Sequence, residues 1–282
     1  SAAVRSAQAG ITTGVGFTPF TSAYYIMLLP YSIVTISIVT ALLPHLSKLA
    51  IEKNAVEVKK QLIRAIRLCG VITVPSSVAF LLFGSLMTEV LFFGISLEDS
   101  RYIGYVLSAL SLGLVAFSIN LVLIRGFNAF EDTKTQVVSI LIINIISSAL
   151  SYLFLATLKS EFVTIGLGLA FAISYILGLF VTIALLRKHI GSLEISQFMG
   201  QHARLYLASA IAMVPFFVLA FMLDWMNDDA APLIGVVRLL LVLVGSGAGF
   251  LLVAHALKIT EITAMKEFAI SLLGKRRAAR AK

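Results

Sequence analysis

Long apolar runs alternate with short polar connections along this chain. A bilayer core roughly 30 Å thick takes about 20 apolar residues in one helix. Seven stretches reach that length: 20–44, 68–94, 102–126, 135–158, 162–186, 203–223 and 232–257. Runs this uniform favour helices over the alternating strands of a membrane barrel, because a helix satisfies its backbone hydrogen bonds internally. The expected fold is an all-α polytopic membrane protein with seven transmembrane helices. Residues 1–17, SAAVRSAQAGITTGVGF, are too mixed to span and read as the end of a preceding helix or an outside loop.

Two further segments are amphipathic. Ala55, Val58, Leu62, Ala65, Ile66 and Cys69 recur at helical spacing, while Lys59, Lys60, Arg64 and Arg67 take other positions on the wheel. The pattern predicts a helix near 53–67 that lies on the inner membrane surface and runs into the second span. Ile262, Met265, Phe268, Ala269, Leu272 and Leu273 form a second stripe, followed by GKRRAARAK. That tail reads as a cytoplasmic anchor on anionic lipid.

Composition sharpens this picture. Hydrophobic residues make up 59% of the 282 positions and charged residues 13%, about half the charged share of a soluble domain. Mean hydropathy is +1.00. A soluble enzyme, a disordered tail and a disulfide scaffold are excluded. A net charge of +8 suggests nucleic acid until the charges are located. Connections 45–67, 125–134 and 187–204 and the tail from Lys258 together hold eighteen Lys and Arg. Connections 95–101, 159–161 and 224–231 hold two, Arg101 and Lys159. Alternate connections are therefore basic, the positive-inside pattern. It puts the N-terminus outside and the C-terminus in the cytoplasm, and no nucleic-acid partner is expected.

Little in the chain suggests catalysis. Cys69 is alone, so no disulfide or zinc cluster forms within the chain. His45, His189, His202 and His255 lack ligand spacing. No metal, cofactor or catalytic residue is assigned, and the chain reads as a transporter. Gly245 and Gly249 form a GxxxG pair inside a span, suited to close helix packing. Pro30, Pro75 and Pro215 lie inside spans and are candidate kinks or hinges; Pro44 is expected to end the first helix. Glu89 and Arg238 are candidate intramembrane charges that either snorkel outward or face a water-filled cavity. Asn120, Asn144, Ser147 and Ser148 suit helix–helix hydrogen bonds. Tyr102, Tyr105 and Trp225 fit an outer aromatic belt.

Four stretches carry a family resemblance: YYIMLLPYSIVTISIVTALLPHLSKLA at 24–50, RLCGVITVPSSVAF at 67–80, LFFGISLED at 91–99 and LIRGFNAFEDTKTQ at 123–136. In that order and spacing they resemble the MurJ/MviN lipid II flippase family of the multidrug/oligosaccharidyl-lipid/polysaccharide exporter superfamily. The resemblance covers about 18–190, and the last two helices only by hydropathy. It implies helices eight to fourteen of fourteen: a C-terminal lobe over 18–190, two additional helices over 203–257 and a tail over 258–282. The chain is expected to be a fragment of a larger protein.

The implied function is half of an alternating-access flippase for lipid II, a polyprenyl-pyrophosphate-linked peptidoglycan precursor, in the bacterial inner membrane. Candidate cavity or head-group contacts are Tyr25, Asn120, Arg125 and Asn144. The family often carries an arginine five residues before the proline matching Pro30; Tyr25 stands there and cannot neutralise phosphate. Some members hold a cation with carboxylate and amide ligands on the helix matching 135–158. Here that helix has Asn144 but no Asp or Glu, so no metal ligand is named. The alternatives are another exporter of the superfamily, moving a polysaccharide lipid or a drug, and a membrane scaffold recruiting cell-wall partners. In some actinobacterial relatives a pseudokinase follows, so a regulatory domain after Lys282 is an expected partner. Alone, the chain is expected not to transport and to need the N-terminal lobe or a second copy.

Overall fold

The computed structural model describes residues 16–193, 196–225, 232–259 and 261. The chain order is α1 (Phe17–Pro30), a π-helical segment (Tyr31–Thr35), α2 (Ile36–Ile51), α3 (Ala55–Leu91), α4 (Leu97–Ala129), α5 (Thr133–Thr157), α6 (Ser160–Ile190), α7 (Ser196–Met222) and α8 (Pro232–Ala256). No strand occurs among the described residues. The all-α polytopic class read from hydropathy is the class observed. Six of these helices, α3 to α8, are long and apolar enough to cross a membrane. The stretch expected as the first span is helical but divided: α1 has 14 residues and α2 has 16, with the π segment between them.

Pro44 does not end the first helix, as its sequence position suggested. α2 runs through it to Ile51. One lost backbone bond is outweighed because Leu46 and Leu49, beyond the proline, are buried. The helix stops instead where Lys53 turns left-handed at φ 57°. The Lys53 and Asn54 amides then return to the Ala50 and Leu49 carbonyls at 3.0 and 2.9 Å. Asn54 at once caps α3, its side chain accepting from the Glu57 amide at 3.1 Å.

The amphipathic segment is the first part of α3 and runs on into the span without a break. Its stripe of Val58, Leu62, Ala65, Ile66 and Cys69 is buried in the main core, with Leu123 and Phe127 of α4 and Leu186 of α6. The apolar face is thus satisfied by protein. The second stripe, from Ile262, lies outside the described residues, as do residues 1–15, Asp228 and Asp229.

α4 is the central helix. In its most apolar window 78% is buried, against 11% for α5 and 17% for α8. It packs on α1, α2, α3 and α6; α5 leans on α6, while α7 and α8 lean on α3. Small residues allow the closest crossings, the usual basis of helix packing in lipid. A Cβ on Gly84 would lie 2.7 Å from the Gly104 carbonyl oxygen, and one on Gly113 2.6 Å from Ala172 Cα.

Side chains join the connections into the two sets that the charge pattern separates. At the basic end Lys59 donates to the Ser192 carbonyl at 2.8 Å. Arg67 bonds Gln201 at 2.9 Å and Glu261 at 2.7 Å, and Asp132 bonds His189 at 2.7 Å. At the opposite end Glu89 pairs with Arg101 at 2.7 Å, and the Tyr102 hydroxyl donates to the Glu161 carbonyl at 2.7 Å.

Candidate functional site

The break in the first helix is the most distinctive local feature. Pro30 has no amide hydrogen, so the helix loses a bond there, and the chain continues as a π turn over Tyr31–Thr35. On one face of this broken rod Tyr25, Leu29, Ser32, Ile36, Thr40 and Pro44 are exposed, three or four residues apart. Three of the six carry hydroxyls. On the other face Ala23, Ile26, Met27, Thr35, Leu46 and Leu49 are buried. The exposed Leu240, Leu241, Val244, Leu251 and Leu252 of α8 are wholly apolar and suit lipid. A hydroxyl-bearing face suits a wet cavity instead. Tyr25, 65% exposed, sits on that face.

An aromatic cluster holds the broken rod in place. Tyr31 meets Phe117 edge-on at 4.9 Å, Phe117 meets Tyr175 at 5.0 Å, and Tyr24 meets Phe171 at 5.8 Å. These rings come from α1, the π segment, α4 and α6. Sequence reasoning missed them because no single helix displays them as a stripe.

The four predicted contacts do not converge. Asn120 is fully buried. Its Nδ2 donates to the Ala116 and Tyr175 carbonyls at 2.9 and 3.0 Å. Its Oδ1 accepts from the Thr182 hydroxyl at 2.7 Å, which lies 2.8 Å from the Ser139 hydroxyl. Asn120 therefore ties α4 to α6 and, through Thr182, to α5. Such bonds in lipid contribute about 0.6 kcal/mol each on average. Asn144 is exposed on α5 and donates back to the Ile140 carbonyl at 2.9 Å. Arg125 has a buried Nε without a hydrogen-bond partner. Thr35 Oγ1, Ser118 Oγ and His202 Nε2 share that condition among the described residues. Three of these four atoms lie on the π segment and α4, the two elements behind the hydroxyl-bearing face.

The intramembrane charges are paired. Glu89 and Arg101 are both largely buried and bond to each other, while Arg238 lies 5.6 Å over the Trp225 ring. Pro75 leaves α3 helical; the only departure inside α3 is at Phe83, with φ −116° and ψ 16°. Pro215 lies within α7 and is exposed. Gly245 packs on α7, where a Cβ would lie 2.5 Å from the Phe216 ring; at Gly249 a Cβ would have ordinary contact with Ala212 at 3.5 Å. His202 is buried, with Nδ1 2.8 Å from the Phe198 carbonyl oxygen. No cluster of three or more His, Cys, Asp or Glu suited to a metal occurs among the described residues.

Asp132 caps α5 and carries a pH prediction. Its carboxylate accepts from the Thr135 hydroxyl at 2.7 Å, from His189 at 2.7 Å and from the Thr135 amide at 3.1 Å. These bonds, the Thr135 hydroxyl first, hold the carboxyl well below its usual range. Between the folded and unfolded values the unfolded chain binds the extra proton, so this contribution is present above about pH 4 and lost as pH falls further. Asp132→Asn is expected to melt below the wild type at pH 7, with the gap closing in acid. Thermal unfolding across a pH series checks this; a gap independent of pH contradicts it.

Similarity to known proteins agrees with this architecture. The family model "Lipid II flippase MurJ" matches residues 4–245. A probable lipid II flippase MurJ of Rickettsia prowazekii (strain Madrid E) is 30% identical over 152 residues, covering 53% of this chain and 30% of that protein. The corresponding protein of Rhizobium meliloti (strain 1021) is 31% identical over 112 residues, covering 39% of this chain and 21% of that protein. A solved structure described as lipid II flippase MurJ in an inward closed conformation superposes with a TM-score of 0.62 at 20% identity, over 85% of this chain and 47% of that one. The chain thus spans less than a third of these curated relatives and about half of that solved chain. With the family model matching across nearly all of the described helices, the chain belongs to the MurJ lipid II flippase family.

Proposed function

We propose that this chain is the C-terminal half of a flippase that moves lipid-linked peptidoglycan precursor from the inner to the outer leaflet of the bacterial cytoplasmic membrane by alternating access. The family-model match over residues 4–245 carries the reading. The chain supplies one wall of the central cavity, the hydroxyl-bearing face of α1 and α2, and a second lobe supplies the other. Tyr25, Ser32 and Thr40 offer hydrogen bonds to a sugar-peptide head group there. Phosphate neutralisation falls mainly to cations of the other lobe, because Lys48, four residues beyond Pro44, is the one Lys or Arg of α1 and α2 along that face. The π segment, a local departure from regular helix, is the hinge, and Pro30 sets its position. The basic end faces the cytoplasm, as the alternation of Lys and Arg requires.

Vesicle translocation tests this reading. Vesicles containing this chain together with the N-terminal half of a family member are expected to expose labelled lipid II on the opposite leaflet. Vesicles with either half alone are expected not to. Translocation by this chain alone, or none by the pair when both halves are inserted and associated, contradicts the proposal.

A further inference from the structure

The first turns of α3 carry more cationic side chains than the bundle uses. One face buries the apolar stripe. A neighbouring face, with Val56, Lys59, Lys60, Ile63, Arg64 and Arg67, lines a cavity of about 570 Å³ closed by Ile190 and Glu261. The four cations are not equivalent. Arg67 is committed to Gln201 and Glu261, and Lys59 to the Ser192 carbonyl. Lys60 lies 3.6 Å from Glu57 with its side chain 76% exposed, a geometry that adds little. Arg64 is exposed and has no ion pair among the described residues. Exposed Lys60, only loosely paired with Glu57, and exposed Arg64 therefore remain beside Arg67 and Lys59, and Arg67 is bonded to Glu261, the one carboxylate lining the cavity.

The remaining walls are apolar. Ile63, Ala55 and Ile190 line the cavity, and Val56 is 78% exposed at its edge. A free anion would gain nothing from these walls, whereas an anion attached to a hydrocarbon gains from both. The site lies at the basic end, where the apolar spans give way to charged connections and lipid head groups reside.

We propose that this cavity binds the phosphate of an anionic phospholipid head group, with Lys60 and Arg64 as its exposed donors and Arg67 and Lys59 as the positive floor. The glycerol and first methylenes lie against Val56, Ile63 and Ile190. This site is separate from the hydroxyl-bearing face of α1 and α2, and its occupancy does not depend on which substrate that face takes.

The test is lipid binding by the full 282-residue chain in neutral detergent, read by native mass spectrometry with phosphatidylglycerol and phosphatidylcholine as probes. The double variant K60Q/R64Q is expected to bind phosphatidylglycerol on the order of tenfold more weakly. The control R187Q/K188Q removes two exposed charges at the same end but outside the cavity, and is expected to bind as the wild type does. The charge-preserving K60R/R64K variant is expected to retain binding, which separates lost charge from lost fold. Equal weakening in K60Q/R64Q and the control overturns the proposal, as does unchanged binding in K60Q/R64Q. Displacement of phosphatidylglycerol by equimolar inorganic phosphate also overturns it, because the site would then recognise a free anion.

Discussion

Gly104→Leu is expected to cost about 3 kcal/mol or more of stability and to separate α3 from α4. A Cβ on Gly104 would overlap Ser85 Cα, lie 2.5 Å from the Ser85 nitrogen and 2.8 Å from the Gly84 carbonyl carbon. These obstacles are backbone, so no rotamer change removes them. The crossing is also stitched by Ser108, whose hydroxyl donates to the Phe80 carbonyl at 3.0 Å. The one non-helical residue of α3, Phe83, sits directly beside it. Any larger residue must push the central helix away from its most extensive partner. Gly249→Ala is the matched control: its Cβ would lie 3.5 Å from Ala212 Cβ, and the expected change is within about 0.5 kcal/mol. Thermal unfolding of the two variants in detergent checks both. Equal losses would contradict the close crossing.

This crossing also marks what hydropathy conveys and what it omits. Burial in lipid is a property of whole segments, so six spans and the grouping of their connections were legible from apolar length and from Lys and Arg alone. The end-to-end bonds Lys59–Ser192, Arg67–Gln201 and Asp132–His189 join connections that the charge pattern had placed together. Contacts between helices are a property of pairs. Neither Gly84 nor Gly104 has a second glycine four residues away, so no GxxxG pair announces them, whereas Gly245 and Gly249 are conspicuous and only Gly245 is tightly packed. Asn120 carries two expectations, a cavity contact and a helix–helix bond; it bonds Thr182, 62 residues away, a partner that sequence position could not name.

The misread elements have tertiary causes. Pro44 reads as a helix end because proline removes a bond; Leu46 and Leu49, buried beyond it, hold the helix together. Pro30, by contrast, stands where a kink or hinge is expected; packing of Tyr31 on Phe117 accompanies a π turn there, a form that the proline alone does not specify. The stripe on the first turns of α3 is expected to lie on the membrane surface and instead faces the protein core; a period of 3.6 does not distinguish the two. The four family-like stretches fall within the span matched by the family model. Of the contacts read beside them, Tyr25 is exposed and Asn120 is buried, a difference of rotation about the helix axis that sequence position does not encode.

The claim that this chain is one half of a lipid II flippase is tested most directly by growth. The host is a bacterium depleted of its own lipid II flippase. The chain, fused behind the N-terminal half of a family member, is expected to restore growth, provided that member's own two halves, joined at the same point, also restore it. The chain alone is expected not to. Normal membrane levels of the fusion without growth, under conditions where the control grows, would contradict the account.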